Sequence, residues 1–274
     1  MSDTMTSHGS KQQGIALITG ASSGIGRAAS GPDTAAIALT SCGWTCILSG
    51  RREAELERTA ELAAEARNKR YPGDTSRPLC VPGDLTDASN ITSLFMTVKT
   101  VFGRLDLLFN NAGIGSPKVP LQHLPIESFD QLININIRVP FLCTQEAFRI
   151  MTTQSPQGGR IINNGSVSST TPRPLSAPYT LSKHAISGLT KSTALDGRKY
   201  DIACCQIDIG NALSVMSSAK AAGVQQANGN VEEEPTFEVD YAGEAVAYMA
   251  SLPLHVNVFN QTLMATHMPF VGRG

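Results

Sequence analysis

Two side chains able to exchange a proton, the phenol of Tyr179 and the ammonium of Lys183, stand four positions apart in this chain. On a helix that spacing is one turn, so both groups share a face. A free phenol keeps its proton up to a pH near 10, too high for exchange at neutral pH. A neighbouring ammonium favours the phenolate, so the pair predicts an acid/base group wherever a cleft screens it from bulk water. Ser166 stands thirteen positions before Tyr179, where an apolar stretch ends, and its hydroxyl is placed to polarise a carbonyl oxygen. Tyr-x-x-x-Lys alone is a weak pattern, because an amphipathic tyrosine beside a solvated lysine produces it too. The rest of the chain has to supply the cleft.

The stretch 160–189 begins as a strand (Arg160, Ile161, Ile162), passes through small hydroxyl residues and a turn, and enters a helix predicted over residues 176–199. Near the start of the chain, residues 14–19 (GIALIT) predict a strand, followed at once by Gly20-Ala-Ser-Ser-Gly24-Ile25-Gly26. Glycines between a strand and a helix let backbone N–H groups approach a pyrophosphate, and the helix N-terminus adds its positive dipole end. Thr19, Ser22 and Ser23 are expected to add short hydroxyl donors. A second strand, 44–49, runs into Gly50-Arg51-Arg52. A carboxylate there would bind a ribose 2′-hydroxyl and signal NAD. Arg51 and Arg52 in its place favour a 2′-phosphate, hence NADP, with NAD as the alternative.

A third strand over 79–83 leads to Asp84 and Leu85, with Asp84 an acceptor for an adenine amine and Asp87 the cap of a helix over 88–102. The continuously apolar strand 105–109 precedes Asn110-Asn111-Ala112-Gly113, at the carboxyl end where α/β sheets bind ligands. Asn136 falls in the middle of a helix predicted over 126–153. Asparagine is a poor helix former, which predicts a functional or strain reason for it. A strand over 202–207, a turn over 208–212, a loop-rich region over 213–238, a helix over 239–251 and a strand over 262–265 close the chain. Strand and helix alternate without a linker or repeat, the pattern of one doubly wound parallel sheet.

One segment breaks the pattern. A helix is expected from Arg27-Ala28 up to the second strand, yet Ser30-Gly31-Pro32-Asp33 interrupts it. A proline inside a helix costs about 3 kcal/mol, and Gly31 adds to the break. Residues 29–34 rotate a helix by about 600°, so the apolar stripes on either side do not realign. The segment must bulge out, or the helix must restart with Asp33 or Thr34 as its cap.

Composition narrows the function classes. With 274 residues the chain can bury a large core, and a formal charge of −1 gives no basic face for nucleic acid. No apolar run is long enough to span a bilayer. Residues 1–13 read as a flexible polar tail without a secretion signal, which predicts a cytoplasmic protein. Residues 14–274 read as one domain that includes the loop 213–238. The six cysteines lack metal-ligand spacing and read as buried free thiols in a reducing compartment. No metal is expected, and the chemistry is expected to rest on an organic cofactor. The run Glu232-Glu233-Glu234 reads as a solvated loop.

Quoted together, these residues resemble the short-chain dehydrogenase/reductase family in its shorter, single-domain subdivision, over residues 14–274. Thr19-Gly20-x-x-x-Gly24-Ile25-Gly26 matches its cofactor motif and Asn110-Asn111-Ala112-Gly113 its structural motif. Asn136, Ser166, Tyr179 and Lys183 fall in the order and spacing of its catalytic four. The resemblance implies an α/β, single-domain Rossmann-type doubly wound parallel sheet flanked by helices. It implies an NAD(P)-dependent oxidoreductase acting on a small-molecule alcohol or ketone. Tyr179 is then the acid/base, and Lys183 serves both the phenol and the nicotinamide ribose. Ser166 steadies the substrate oxygen, and Asn136 holds a water in a proton relay. The cofactor would lie on Thr19, Gly20, Ser22, Ser23, Gly24, Ile25, Gly26, Arg51, Arg52, Asp84, Leu85, Asn111, Ala112 and Gly113, besides Tyr179 and Lys183. Assembly as a homodimer or homotetramer through the two long helices is implied too.

Val139 stands where the family often has glycine, and Ile209-Gly210-Asn211 replaces its usual Pro-Gly. A subset of members with an ending like LMATHMPFVGRG shares the second departure. Two other readings keep the same motifs. One is a non-catalytic cofactor-binding or regulatory protein of this fold; the other is an isomerase or dehydratase using the same tyrosine and lysine.

Overall fold

A strand of apolar residues with no polar alternation has to be covered on both faces, and β1 (Gly14–Thr19), paired at both edges with parallel strands, sends alternate residues into two opposite cores. The structure, a computed structural model, describes residues 13–22, 34–213 and 223–271. The main sheet contains β1, β2 (Trp44–Gly50), β3 (Leu79–Pro82), β4 (Leu107–Asn110), β5 (Gly159–Asn164) and β6 (Ile202–Ile209). Between β6 and the last strand lie two-residue strands: β7 (Ala212–Leu213) pairs with β10 (Phe237–Glu238), and β8 (Val224–Gln225) with β9 (Val231–Glu232). The last strand, β11 (Asn260–Leu263), completes a seven-stranded parallel sheet of order β11-β6-β5-β4-β1-β2-β3. Strand order reverses between β1 and β4, and a crevice opens outside the carboxyl ends at such a switch point. The doubly wound parallel sheet is therefore as expected.

Alternate residues of each strand serve opposite cores. Ala16, Ile18, Leu48, Phe109, Ile162 and Ile207 pack in one cluster with Ala35, Leu39, Leu56 and Val246. These last come from α1 (Thr34–Ser41), α2 (Glu53–Arg70) and a closing helix, α7 (Asp240–Ser251). Leu17, Ile47, Leu108, Ile161 and Cys204 join the second cluster with Leu94, Val98, Cys143 and Ala147. That face is covered by α3 (Ala88–Phe102), α5 (Val139–Met151) and α6 (Ala177–Gly197), with α4 (Ile126–Ile133) packed against α6. Each fully buried side chain of this size contributes about 1.5–3 kcal/mol, so both layers are needed to hold the sheet.

Asp87 caps α3 by accepting the Ser89 N–H at 2.8 Å, as its spacing predicted. The last strand lies two residues earlier than predicted. Its sequence, NQTL, has no apolar signal, and only its backbone register with β6 defines it. Thr34, expected within the interruption or as a cap, is the first residue of α1 and is buried. Its hydroxyl donates to the Val239 carbonyl at 3.2 Å. The interruption itself, residues 29–33, lies outside the described residues.

The approach of α1 to α7 generates a test. A Cβ added at Gly243 would sit 2.4 Å from the Thr34 carbonyl oxygen, backbone that cannot swing aside. Gly243→Ala is expected to lower stability by about 1–3 kcal/mol, the usual cost of overpacking. Urea unfolding checks it, and an unchanged midpoint would mean that α1 does not rest on α7.

Candidate active site

Where α6 begins sets where Tyr179 and Lys183 lie, and a hydroxyl sets that beginning. Ser176 Oγ donates to the Arg173 carbonyl at 2.6 Å and accepts the Arg173 N–H at 3.2 Å, closing the turn before the helix. Inside this turn Leu175 has φ 57°, left-handed backbone that costs a residue with a Cβ about 1–2 kcal/mol. Pro178 occupies the first turn of the helix, where a missing N–H leaves nothing unbonded. From there Ser182, Lys183, Ile186 and Thr190 form the buried face at helical spacing. Lys183 is only 7% exposed; its Nζ donates to the Asn164 carbonyl at 2.7 Å and lies 5.5 Å from the centroid of the Tyr179 ring. The expected shared face is present, and it abuts the carboxyl end of β5.

Ser166 lies two residues past β5 and caps a single 3-10 turn, Val167–Ser169. Its Oγ accepts the Ser168 N–H at 3.1 Å, leaving its proton to be given elsewhere. Its own N–H donates to Asp208 Oδ1 at 2.8 Å and to Ser169 Oγ at 3.2 Å.

Asn136 sits within a π-turn, Asn134–Arg138, that joins α4 to α5 inside the helix predicted as continuous. Its amide oxygen accepts the Ile114 N–H at 2.8 Å, and its Nδ2 donates to the Ile114 carbonyl at 2.9 Å and to Ser182 Oγ at 3.2 Å. Ser182 Oγ in turn donates to the Tyr179 carbonyl at 2.7 Å. The poor helix former thus has a reason: its side chain pins the segment after Gly113 to the turn that carries Tyr179.

The expected cofactor edge is only partly described: Ser23, Gly24, Ile25 and Gly26 lie outside the described residues. Gly20 has φ 71°, and a Cβ on it would come 2.6 Å from the Ala112 Cα, so the chain leaving β1 passes directly against Ala112. Thr19 is corrected from ligand donor to internal tie. It is buried; its hydroxyl donates to the Phe109 carbonyl at 3.3 Å and accepts the N–H groups of Asn111 and Ala112 at 3.0 and 3.2 Å. Ser22 is buried against the end of β2, where a Cβ on Gly50 would meet its Oγ at 2.7 Å. Arg52 donates to the Ser22 carbonyl at 2.5 Å, whereas Arg51 stands exposed beside it. Asp84 is exposed with Oδ1 turned to the Thr86 N–H and hydroxyl, and Leu85 is buried. These residues fit a dinucleotide: a narrow backbone cradle at the switch point, a buried ammonium, and a free-standing guanidinium at the second strand.

Residues 14–225 match the family model described as short chain dehydrogenase. The chain belongs to the short-chain dehydrogenase family. A 3beta-hydroxysteroid dehydrogenase of Mediterraneibacter gnavus is 34% identical over 208 residues, 75% of this chain and 69% of that one. Among solved structures, an alcohol dehydrogenase of Thermococcus sibiricus complexed with 5-hydroxy-NADP superposes with a TM-score of 0.76 at 21% identity, covering 93% of this chain and 97% of its own. A 3-ketoacyl-(acyl-carrier-protein) reductase of Brucella melitensis complexed with NADH gives 0.77 at 22%, covering 92% and 97%.

In this short-chain dehydrogenase the loop after β6 is held down by charge. Glu234 is buried and pairs with the Arg173 guanidinium, which also donates to Asn211 Oδ1 at 3.0 Å. Asn211 Nδ2 donates to Glu234 Oε2 at 2.7 Å, and Gln226 Nε2 donates to Oε1 at 3.1 Å. Glu234 was expected to be solvated with Glu232 and Glu233; those two are exposed, but burial turns the third inward to Arg173. A triple-glutamate run carries no signal for this, because the partner is distant in sequence. Two of the buried cysteines are unsuited to thiolate chemistry: burial pushes the Cys143 thiol up to about 12 and that of Cys205 to about 11. Among the described residues no cluster of ligating side chains suits a metal, and no helix is long and apolar enough to cross a membrane.

The ion pair generates the second test. Glu234→Ala removes a buried carboxylate from the Arg173 guanidinium in a site with little water. Stability should fall by about 3 kcal/mol, the low end for breaking a buried pair, and residues 223–238 should become readily cleaved by protease. Urea unfolding and limited proteolysis measure the two effects. A variant as stable and as resistant as the parent would show that the pair does not hold the loop.

Proposed function

We propose that this chain is an NADP(H)-preferring oxidoreductase that interconverts an alcohol and a carbonyl compound, with Asn136, Ser166, Tyr179 and Lys183 as its catalytic set. The observation that carries the reading is the buried ammonium of Lys183, tied to Asn164 beside the Tyr179 ring. A buried charge needs compensation, and one backbone carbonyl takes only one of its three protons. The remaining two suit a phenol oxygen and a ribose hydroxyl.

A bound nicotinamide supplies or accepts the hydride, so one proton is left for the protein. Tyr179 gives that proton to the carbonyl oxygen, or takes it from the alcohol. Ser166 donates its hydroxyl proton to the same oxygen, with Ser168 fixing the hydroxyl from the other side. Lys183 holds the phenol in place and links it to the ribose. Asn136 acts through structure: its side chain locks Ile114 and Ser182, and the main chain of the π-turn is left to hold a relay water.

The cofactor preference is supported by Gly50 and Arg51. No carboxylate stands at Gly50 to bind a 2′-hydroxyl, Ser22 fills the space, and the exposed Arg51 suits a 2′-phosphate. The two solved structures compared above hold an NADP derivative in one case and NADH in the other, so a nicotinamide dinucleotide is supported and the choice rests on these residues. The same reading takes the protein as a cytoplasmic homodimer or homotetramer. Its six free thiols and the exposed Phe141, Leu181 and Leu195 on α5 and α6 support this.

Tyr179→Phe removes one hydroxyl and is expected to leave cofactor binding intact while cutting turnover by about 10²–10⁴-fold. Lys183→Ala should damage both. The measurements are turnover with a panel of ketones and alcohols, and a nicotinamide-fluorescence titration. Near-native turnover in the Phe variant would mean that the proton is handled elsewhere.

Arg51→Ala should weaken NADPH binding by about 1–3 kcal/mol, the range of a charge-assisted contact, and leave NADH binding nearly unchanged. Equal affinity of the parent protein for the two cofactors would overturn the preference.

A further inference from the structure

Strand β6 reads IACCQIDI and is buried from end to end, yet it places two polar residues, Gln206 and Asp208, on the same face. That face is covered by α6 and by the turn that carries Ser166. The Asp208 carboxylate, 4% exposed, is held among the described residues by four donors and no cation. Oδ1 accepts the Ser166 N–H at 2.8 Å, the Ser169 hydroxyl at 2.9 Å and Gln206 Nε2 at 2.7 Å; Oδ2 accepts Asn260 Nδ2 at 2.8 Å. Gln206 is itself fixed from α6, accepting Thr190 Oγ1 at 3.1 Å and donating to Ser187 Oγ at 3.0 Å. The residue before Ser166 has to be glycine for the same reason, since a Cβ on Gly165 would lie 2.1 Å from Asp208 Oδ1.

We propose that Asp208 is a positioning residue for Ser166: it sets the backbone of the serine, and so the direction of its hydroxyl, from the neighbouring strand. The inference rests on the reading of Ser166 as the hydroxyl that binds the substrate oxygen. The physical argument is one of directed bonds. Ser166 sits in extended backbone with φ −172°, just beyond the last ladder bonds of β5, so its N–H has no strand partner of its own. A buried N–H must find an acceptor. Asp208 provides one whose position is over-determined by its other three bonds, and Ser169 provides the second. Serine orientation is thereby tied to β6, β11 and α6 together rather than to a surface loop.

Because Asp208 acts through Ser166, its removal should matter only while the Ser166 hydroxyl is present. Asp208→Ala is expected to lower kcat on the order of 10–100-fold, as small misplacements of reacting groups do, with the cofactor dissociation constant unchanged. Asp208→Asn keeps an acceptor at Oδ1, and Asn260 can turn its amide to match, so this variant should stay within about three-fold of the parent. In a double-mutant cycle, adding Asp208→Ala to Ser166→Ala should cost little more than Ser166→Ala alone. If Asp208→Ala does not fold, Ser169→Ala replaces it in the cycle, because Ser169 Oγ also accepts the Ser166 N–H; a smaller effect, again absent without the Ser166 hydroxyl, is expected. Losses that multiply independently would overturn the positioning role and leave the reading of Ser166 standing. Full turnover in Ser166→Ala alone would overturn the reading of the serine and the proposal with it. An Asn variant as poor as the Ala variant would also overturn the proposal, since the acceptor alone should suffice.

Discussion

The ammonium of Lys183 on the main-chain carbonyl of Asn164 is the contact around which the site is arranged. An ammonium 7% exposed would be strongly disfavoured without partners, so every element that approaches it must bring an oxygen or stay clear. Asn164 meets that demand with its carbonyl, and its own side chain donates to Asn111 Oδ1 at 3.0 Å. A single chain of bonds therefore runs from α6 through the end of β5 to the turn after β4. One residue back on each strand, Asn110 Nδ2 donates to Asn163 Oδ1 at 2.9 Å, and Asn163 Nδ2 donates to Thr190 Oγ1 at the same distance. These amides pin the carboxyl ends of two central strands to the helix that carries the proposed catalytic pair.

Several irregular features of the backbone lie at this carboxyl edge of the sheet. The left-handed Leu175, the π-turn at Asn134–Arg138 and the tight passage of Gly20 past Ala112 all surround the crevice at the switch point. Each carries a local cost, and each is held by bonds from a neighbouring element: Ser176 for the turn, Ile114 and Ser182 for Asn136, Thr19 for the first loop. Strain persists only where the surroundings over-determine it. Here the surroundings are rigid because parallel strands buried on both faces cannot shift register without uncovering a core.

The region after β6 follows a different logic. It has little regular structure among its described residues, and the ion pair between Arg173 and Glu234 fastens it to the turn preceding α6. Arg173 thus connects the turn that sets the start of the tyrosine helix to the loop after β6.

Much of this was readable from residue order. The glycine loop after an apolar strand, Asn110-Asn111-Ala112-Gly113 after another, and Tyr179 one turn from Lys183 all obey local rules of backbone geometry, and the parallel sheet follows from their alternation. The cap at Asp87 and the anomaly at Asn136 were equally local. What the order of residues left open has one common cause: a polar side chain is read as solvated until a partner far along the chain is known. Glu234 looked like part of an acidic surface run until folding brought Arg173 to it, sixty-one residues away. Thr19 looked like a ligand donor until β4 placed a carbonyl over its hydroxyl. Gln206 and Asp208, two polar residues at strand spacing in a buried strand, were a signal of this kind in plain view. Only the packing of β6 beside β5 decided that their partner is the backbone of Ser166, because hydrogen bonds between strands are set by register, which hydrophobic pattern alone does not fix at the end of a sheet.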